Sequence, residues 1–136
     1  MGVRFLLDTS VYSQALRGKP LLTALRRWQA AGDSQCAIAA VTAGEIEWGL
    51  HYEDNPQRWN KYEALLENRL KILQTTQAVW SVFAKMKARQ RCLGEPISDL
   101  VLLIAATAKV HDLTVATLNV NDFSRIEGLV WENWSL

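Results

Sequence analysis

The sequence predicts one α/β domain built on a short, mostly parallel sheet, and three observations predict it. Apolar runs of strand length recur along the 136 residues, and several end in an acidic or hydroxyl side chain. Between them lie longer segments whose apolar residues fall at helical spacing. The length suits one ordinary domain, residues 1–136, with no repeat, low-complexity stretch or long linker to divide it.

Val3 to Leu7 reads as a buried strand that delivers Asp8 at its carboxyl end, with Thr9 and Ser10 opening a turn into a helix. Gly18-Lys19-Pro20 separates that helix from a second, whose apolar stripe is Leu21, Leu22, Leu25 and Trp28 and which ends at Gly32-Asp33. Cys36 to Val41 is a second strand. Thr42 follows as a helix cap with Glu45 three residues on, the spacing of a capping box. Leu65, Leu66 and Leu70 mark a later helix, Ile72 and Leu73 a short strand, and Val79, Val82, Phe83 and Met86 another helix that Gly94-Glu95-Pro96 breaks. Ser98 caps a buried helix running from Asp99 to Ala108. Leu113 to Thr117 is a strand, Asn119 to Asp122 a polar loop at its end, and Val130-Trp131 an edge strand.

Hydrophobic residues make up 49% and charged residues 21%, which excludes a disordered or collagen-like chain. The apolar opening is too short for a signal peptide and no apolar stretch reaches membrane-spanning length, so the expected location is cytoplasmic, with no membrane partner. Fifteen Lys and Arg against 14 Asp and Glu argue against a general polyanion binder while leaving a local site open. Cys36 and Cys92 are too far apart in sequence to suggest a zinc or disulfide framework, and nothing pairs His51 with His111 as catalysts.

Four of the 14 carboxylates stand at proposed strand ends or helix starts where they could converge: Asp8, Glu45, Asp99 and Asp122. Brought to one side of a sheet they would repel; two unit charges ~4 Å apart interact by ~4 kcal/mol at an effective dielectric near 20. A divalent ion reverses that penalty, and oxygen donors suit Mg²⁺, with Mn²⁺ as a substitute. Asp8, Asp99 and Asp122 are candidate metal ligands and Glu45 a ligand or proton acceptor. Asn119 is a neutral donor, and Ser10 and Thr117 are hydrogen-bonding supports. Each residue also has a plain structural reading: Glu45 in a capping box, the aspartates in turns and caps.

At the segments Leu6-Leu7-Asp8-Thr9-Ser10-Val11, Val41-Thr42-Ala43-Gly44-Glu45-Ile46, Ile104 to Ala108, Thr117 to Phe123 and Gly128 to Trp134, the sequence resembles the PIN-domain toxins of the VapC family. The resemblance spans nearly the whole chain. It implies a PIN-like three-layer α/β/α domain and a divalent-ion site. It also implies hydrolysis of RNA phosphodiesters to leave a 5′-phosphate and a 3′-hydroxyl, a homodimer, and a cognate VapB-like antitoxin. Asp8 and Glu45 match the first two acidic positions of that family, and Asp122 matches a fourth. At the third, the counterpart is Val101. Asp99 lies two residues earlier, about 200° away around a helix. Val101 therefore leaves open an inactivating substitution, a naturally weakened site, or altered coordination through Asp99.

Lys85, Lys87, Arg89 and Arg91 form a basic run that is either a solvated helix face or a surface steering RNA phosphates, which Arg17, Lys19, Arg26 and Arg27 could extend. Six tryptophans are many for this length, and core packing accounts for most of them; Trp48, three residues after Glu45, is placed either under the acidic pocket or at a groove edge. The expected function is a Mg²⁺-dependent endoribonuclease toxin weakened or inactivated at Val101. The alternative is a catalytically silent PIN-like protein that binds RNA or antitoxin.

Overall fold

Strands form where the apolar runs are shortest: β1 (Phe5–Leu7), β2 (Cys36–Ala39), β3 (Lys71–Leu73), β4 (Thr114–Thr117) and β5 (Trp131–Asn133). The computed structural model describes residues 2–136 and joins these strands, all parallel, in the order β3-β2-β1-β4-β5. Parallel neighbours need crossovers, which the helical segments supply. These are α1 (Thr9–Tyr12), α2 (Leu22–Ala31), α3 (Ala40–Glu53), α4 (Pro56–Leu65), α5 (Gln77–Cys92), α6 (Asp99–His111) and α7 (Val120–Phe123).

Side-chain alternation along the strands divides the core into two layers. Phe5, Leu7, Cys36, Ile38 and Ala116 face one cluster with Val11, Tyr12, Trp28, Ile46, Leu50 and Tyr62, so α1 to α4 cover that face. Leu6, Ala37, Ala39 and Val115 face the other with Leu102, Ile104, Ala105 and Ala108 of α6 and Phe83 and Met86 of α5. The result is the expected three-layer α/β/α architecture.

Because β1 is flanked by β2 on one side and β4 on the other, the chain switches direction across the sheet between β1 and β4. A crevice opens at the carboxyl ends of strands at such a point. Asp8 leaves β1 there and Leu118-Asn119 leaves β4 there, with the Asp8 amide donating to the Ala116 carbonyl at 3.0 Å.

Several expectations are corrected. α3 begins at Ala40, with Ala39 as its first flanking residue, so Thr42 is not its cap and Val41 is helical. Thr42 is buried inside the first turns, which removes Glu45 from the capping-box role. On α2 the buried residues are Ala24 and Trp28, while Leu21 and Leu22 are exposed; the helix packs on a narrower stripe than its leucines suggest. Core packing does account for most of the tryptophans: Trp28 and Trp134 are buried, Trp134 meeting Phe5 edge to face at 5.3 Å, and Trp59 and Trp131 pack partly buried against the core. Trp48 and Trp80 are exposed. Asn55 before Pro56 and Thr76 cap α4 and α5 by side-chain acceptance of backbone amides, as Ser98 does for α6. No helix of the described residues is long and apolar enough to cross a membrane.

Candidate functional site

Asp8 is the centre of the crevice. Its Oδ1 accepts from Ser10 Oγ at 2.6 Å and from the Val11 amide at 3.0 Å, which makes it the N-cap of α1. Its Oδ2 accepts from the Thr117 hydroxyl at the end of β4. Ser10 Oγ in turn accepts from the Leu118 amide at 3.0 Å, and Thr117 Oγ1 from the Asn119 amide at 2.7 Å. Ser10 and Thr117 thus pin one carboxylate between two strands. The carboxylate is almost fully buried. Burial pushes its pKa up, against the lowering effect of the Ser10, Thr117 and Val11 hydrogen bonds.

Glu45 reaches the same edge from α3. Thr9 Oγ1 donates to its Oε1 at 2.6 Å and stands 3.3 Å from Thr42 Oγ1. Thr9 follows Asp8 directly, so one residue of α1 couples the first two carboxylates. From the sequence Thr9 reads only as the start of a turn; its adjacency to Asp8 is the signal for its part in the site.

The other two carboxylates are held differently. Asp99, at the first turn of α6, bonds Lys87 Nζ of α5 through Oδ1 at 3.0 Å and Oδ2 at 3.3 Å and is exposed. Asp122 accepts from Arg125 Nη2 at 2.8 Å and from Asn119 Nδ2 at 3.0 Å. The Asn119 hydrogen bond, then the adjacent guanidinium, hold its carboxyl below the usual range in spite of partial burial. Asn119 also caps α7 by accepting from the Asp122 amide. Arg125 was missed, although its i,i+3 spacing from Asp122 was in view.

Val101 is half-buried against the α5–α6 side of the core. Its neighbour Leu100 lines the same cleft as Glu45. The α6 approach to Glu45 is therefore apolar. Of the basic run, Lys87 is taken by Asp99 and Arg89 by Glu127. Lys85 and Arg91 are exposed, and neither forms an ion pair among the described residues.

Among the described residues no three Asp, Glu, His or Cys side chains lie close enough together to enclose a metal ion. The donor set still fits a hard cation of one type: Mg²⁺ keeps several waters and takes only one or two carboxylates plus substrate phosphates. Asp8 and Glu45, held by neutral donors and in no ion pair among the described residues, are such a pair.

Fold and site together define a class: a parallel α/β/α domain carrying its acidic residues at the switch point of the sheet. The family described as PIN domain matches residues 5–129. The chain is 28% identical over 135 residues to Toxin FitB of Neisseria gonorrhoeae, covering 95% of this chain and 97% of that one. It is 25% identical over 133 residues to a tRNA(fMet)-specific endonuclease VapC of Shigella flexneri, covering 98% and 99%. The crystal structure of FitAcB from Neisseria gonorrhoeae superposes with a TM-score of 0.85 at 28% identity, covering 97% of this chain and 99% of that one. VapBC2 from Rickettsia felis, bound to a DNA fragment from its promoter, superposes with a TM-score of 0.86 at 23% identity over 97% and 99%, a likeness of fold. The chain belongs to the PIN-domain family, in its VapC/FitB group of type II toxin–antitoxin ribonuclease toxins.

Proposed function

We propose that this chain is a VapC-like toxin whose one domain, residues 1–136, hydrolyses RNA phosphodiesters with Mg²⁺ at a site reduced to two free carboxylates. The observation that carries the reading is that Asp8 at the end of β1 and Glu45 on α3 meet through Thr9, each held by neutral donors. Asp8 and Glu45 would hold the ion; bound there, it supplies charge for the scissile phosphate and acidifies a water. Asp8 is oriented by three donors and so needs no reorganisation when charge builds beside it. Glu45 accepts the proton of the attacking water. Lys85 and Arg91 remain available to RNA phosphates. A VapB-like antitoxin, a homodimer and a cytoplasmic setting complete the proposal; the likeness to Toxin FitB and to a VapC endonuclease supports the antitoxin.

A second reading has its own support. Val101, the ion pair on Asp99 and the ion pair on Asp122 together favour a catalytically silent PIN-like protein that binds RNA or antitoxin. Cleavage of RNA with Mg²⁺ by the unaltered chain, abolished by Asp8→Ala and Glu45→Ala, supports the enzyme. Tight partner binding with no cleavage in any metal, and none gained by Val101→Asp, supports the silent protein.

A further inference from the structure

Trp48 and Tyr52 are 69% and 81% exposed, and their rings stack nearly coplanar, 5.5 Å between centroids and 2° between planes. They lie one turn apart on α3, at i+3 and i+7 from Glu45, and so share its face. Core packing accounts for neither ring. Beside them a cleft of ≈ 460 Å³ is walled by Val41, Gly44, Trp48 and Leu100 and ends at Glu45. That volume falls in the range of small-ligand sites. Gly44 keeps its floor clear: a Cβ there would meet nothing within 4 Å.

Glu45 also lines a second cleft, together with the Arg58–Glu53 ion pair and the exposed cations Arg17 and Lys19. Neither Arg17 nor Lys19 is in an ion pair among the described residues. Glu45 thus lines both an aromatic slot and a cleft that carries two unpaired cations. A nucleotide has the matching halves, a flat base and an anionic phosphate. A flat apolar protein surface does not match: sealing the slot would strip water from the Glu45 carboxylate, whose partner is the Thr9 hydroxyl, and leave its charge uncompensated.

We propose that the slot between α3 and α6 takes one unpaired nucleobase of the RNA strand, stacked on Trp48, with the adjoining phosphates directed toward Arg17 and Lys19. This rests on the RNA-directed reading above and adds a residue that fixes which phosphate meets Glu45. Trp48 acts here as a positioning residue for substrate.

The test uses a short labelled single-stranded RNA and the full chain carrying Asp8→Asn, so that binding is read without cleavage. Trp48→Ala and Gly44→Leu should each weaken RNA binding about 10- to 100-fold, the range of one base–aromatic stack, while Trp48→Phe stays near the parent. Gly44→Leu adds its side chain from a helical position where a Cβ meets open space, and leucine is the better helix former; its fold is checked by circular dichroism. An abasic nucleotide at one position should cause the same loss and make binding indifferent to Trp48→Ala. In the active chain, Trp48→Ala should spread the cleavage positions and raise KM more than it lowers kcat. If no variant cleaves yet the abasic and Trp48 effects coincide, the slot stands and the nuclease reading falls. Unchanged RNA affinity on Trp48→Ala, with or without a shift from dimer to monomer in sedimentation, overturns the slot, and a shift assigns this face to a second copy of the chain.

Discussion

The two halves of the acidic edge are built on opposite electrostatic plans. On the β1–α3 side, Asp8 and Glu45 are surrounded by Ser10, Thr117 and Thr9, neutral donors that orient a carboxylate without cancelling its charge. On the α6–α7 side, Asp99 and Asp122 are each clasped by a cation, Lys87 and Arg125. Hydroxyls leave an anion receptive to an incoming metal ion; an ion pair has already satisfied it. The difference teaches that the count of acidic residues near a site is a poor measure of its capacity for metal.

The strongest way to break the receptive half is Asp8→Ala. It removes a carboxylate and the cap of α1 together, and RNA cleavage should fall at least about 100-fold, the scale of losing one positioned catalytic group. A rate within a few-fold of the parent in single-turnover cleavage would remove Asp8 from the chemistry. The apolar approach from α6 offers the converse experiment. Leu100→Asp places a carboxylate in the Glu45 cleft, and Mg²⁺ affinity measured by calorimetry should rise about tenfold, the smaller end of the change a single metal-site group brings. Val101→Asp, at the family's acidic position, should also tighten Mg²⁺ binding. It should unfold more easily in urea, by about 1–3 kcal/mol, because Val101 packs against the core. Unchanged metal affinity in both folded variants would show that α6 takes no part in the site.

Opposite pKa directions give the third comparison, read in metal-free protein. Asp8 is raised, so its contribution to stability is full below the ordinary carboxylate range and is lost as pH rises through its elevated pKa. Asp8→Asn, which has no carboxyl to titrate, should flatten the loss of Tm between acid and neutral pH that the parent shows. Asp122 is lowered; its contribution is present at neutral pH and is lost as pH falls through its depressed pKa. Arg125→Gln, the smallest effect, should lower stability at neutral pH by about 0.5 kcal/mol or less and should bring the Asp122 titration, followed by NMR, back toward the ordinary range. An unmoved titration would mean that Asn119 alone sets it.

The receptive half was the more legible in sequence. Apolar runs ending in Asp8 and Thr117 locate two adjacent strand ends, and hydroxyls beside them have short, predictable reach. Ser98 before Asp99 is read correctly because a cap needs only local spacing. The start of α3 escaped because Ala39 and Ala40 carry no capping signal; the helix begins where the β2 strand ends and packing, not a side-chain cap, fixes it. The clasped half escaped because Lys87 and Asp99 meet only through the packing of α5 on α6. Leu100 escaped for another reason. Residues 100–104 are all apolar, and spacing alone cannot say which of them faces the cleft.

The hydrogen bond from Thr117 to Asp8 joins residues 109 apart in sequence. That span carries a meaning in time. Synthesis at about 5–20 residues per second leaves Asp8 waiting roughly 5–20 s for its partner to be made, and contacts of such range form slowly once the chain is free. Asp8 is therefore a passenger on an incomplete sheet for most of the chain's production, and the site comes into being as one of the last events of folding.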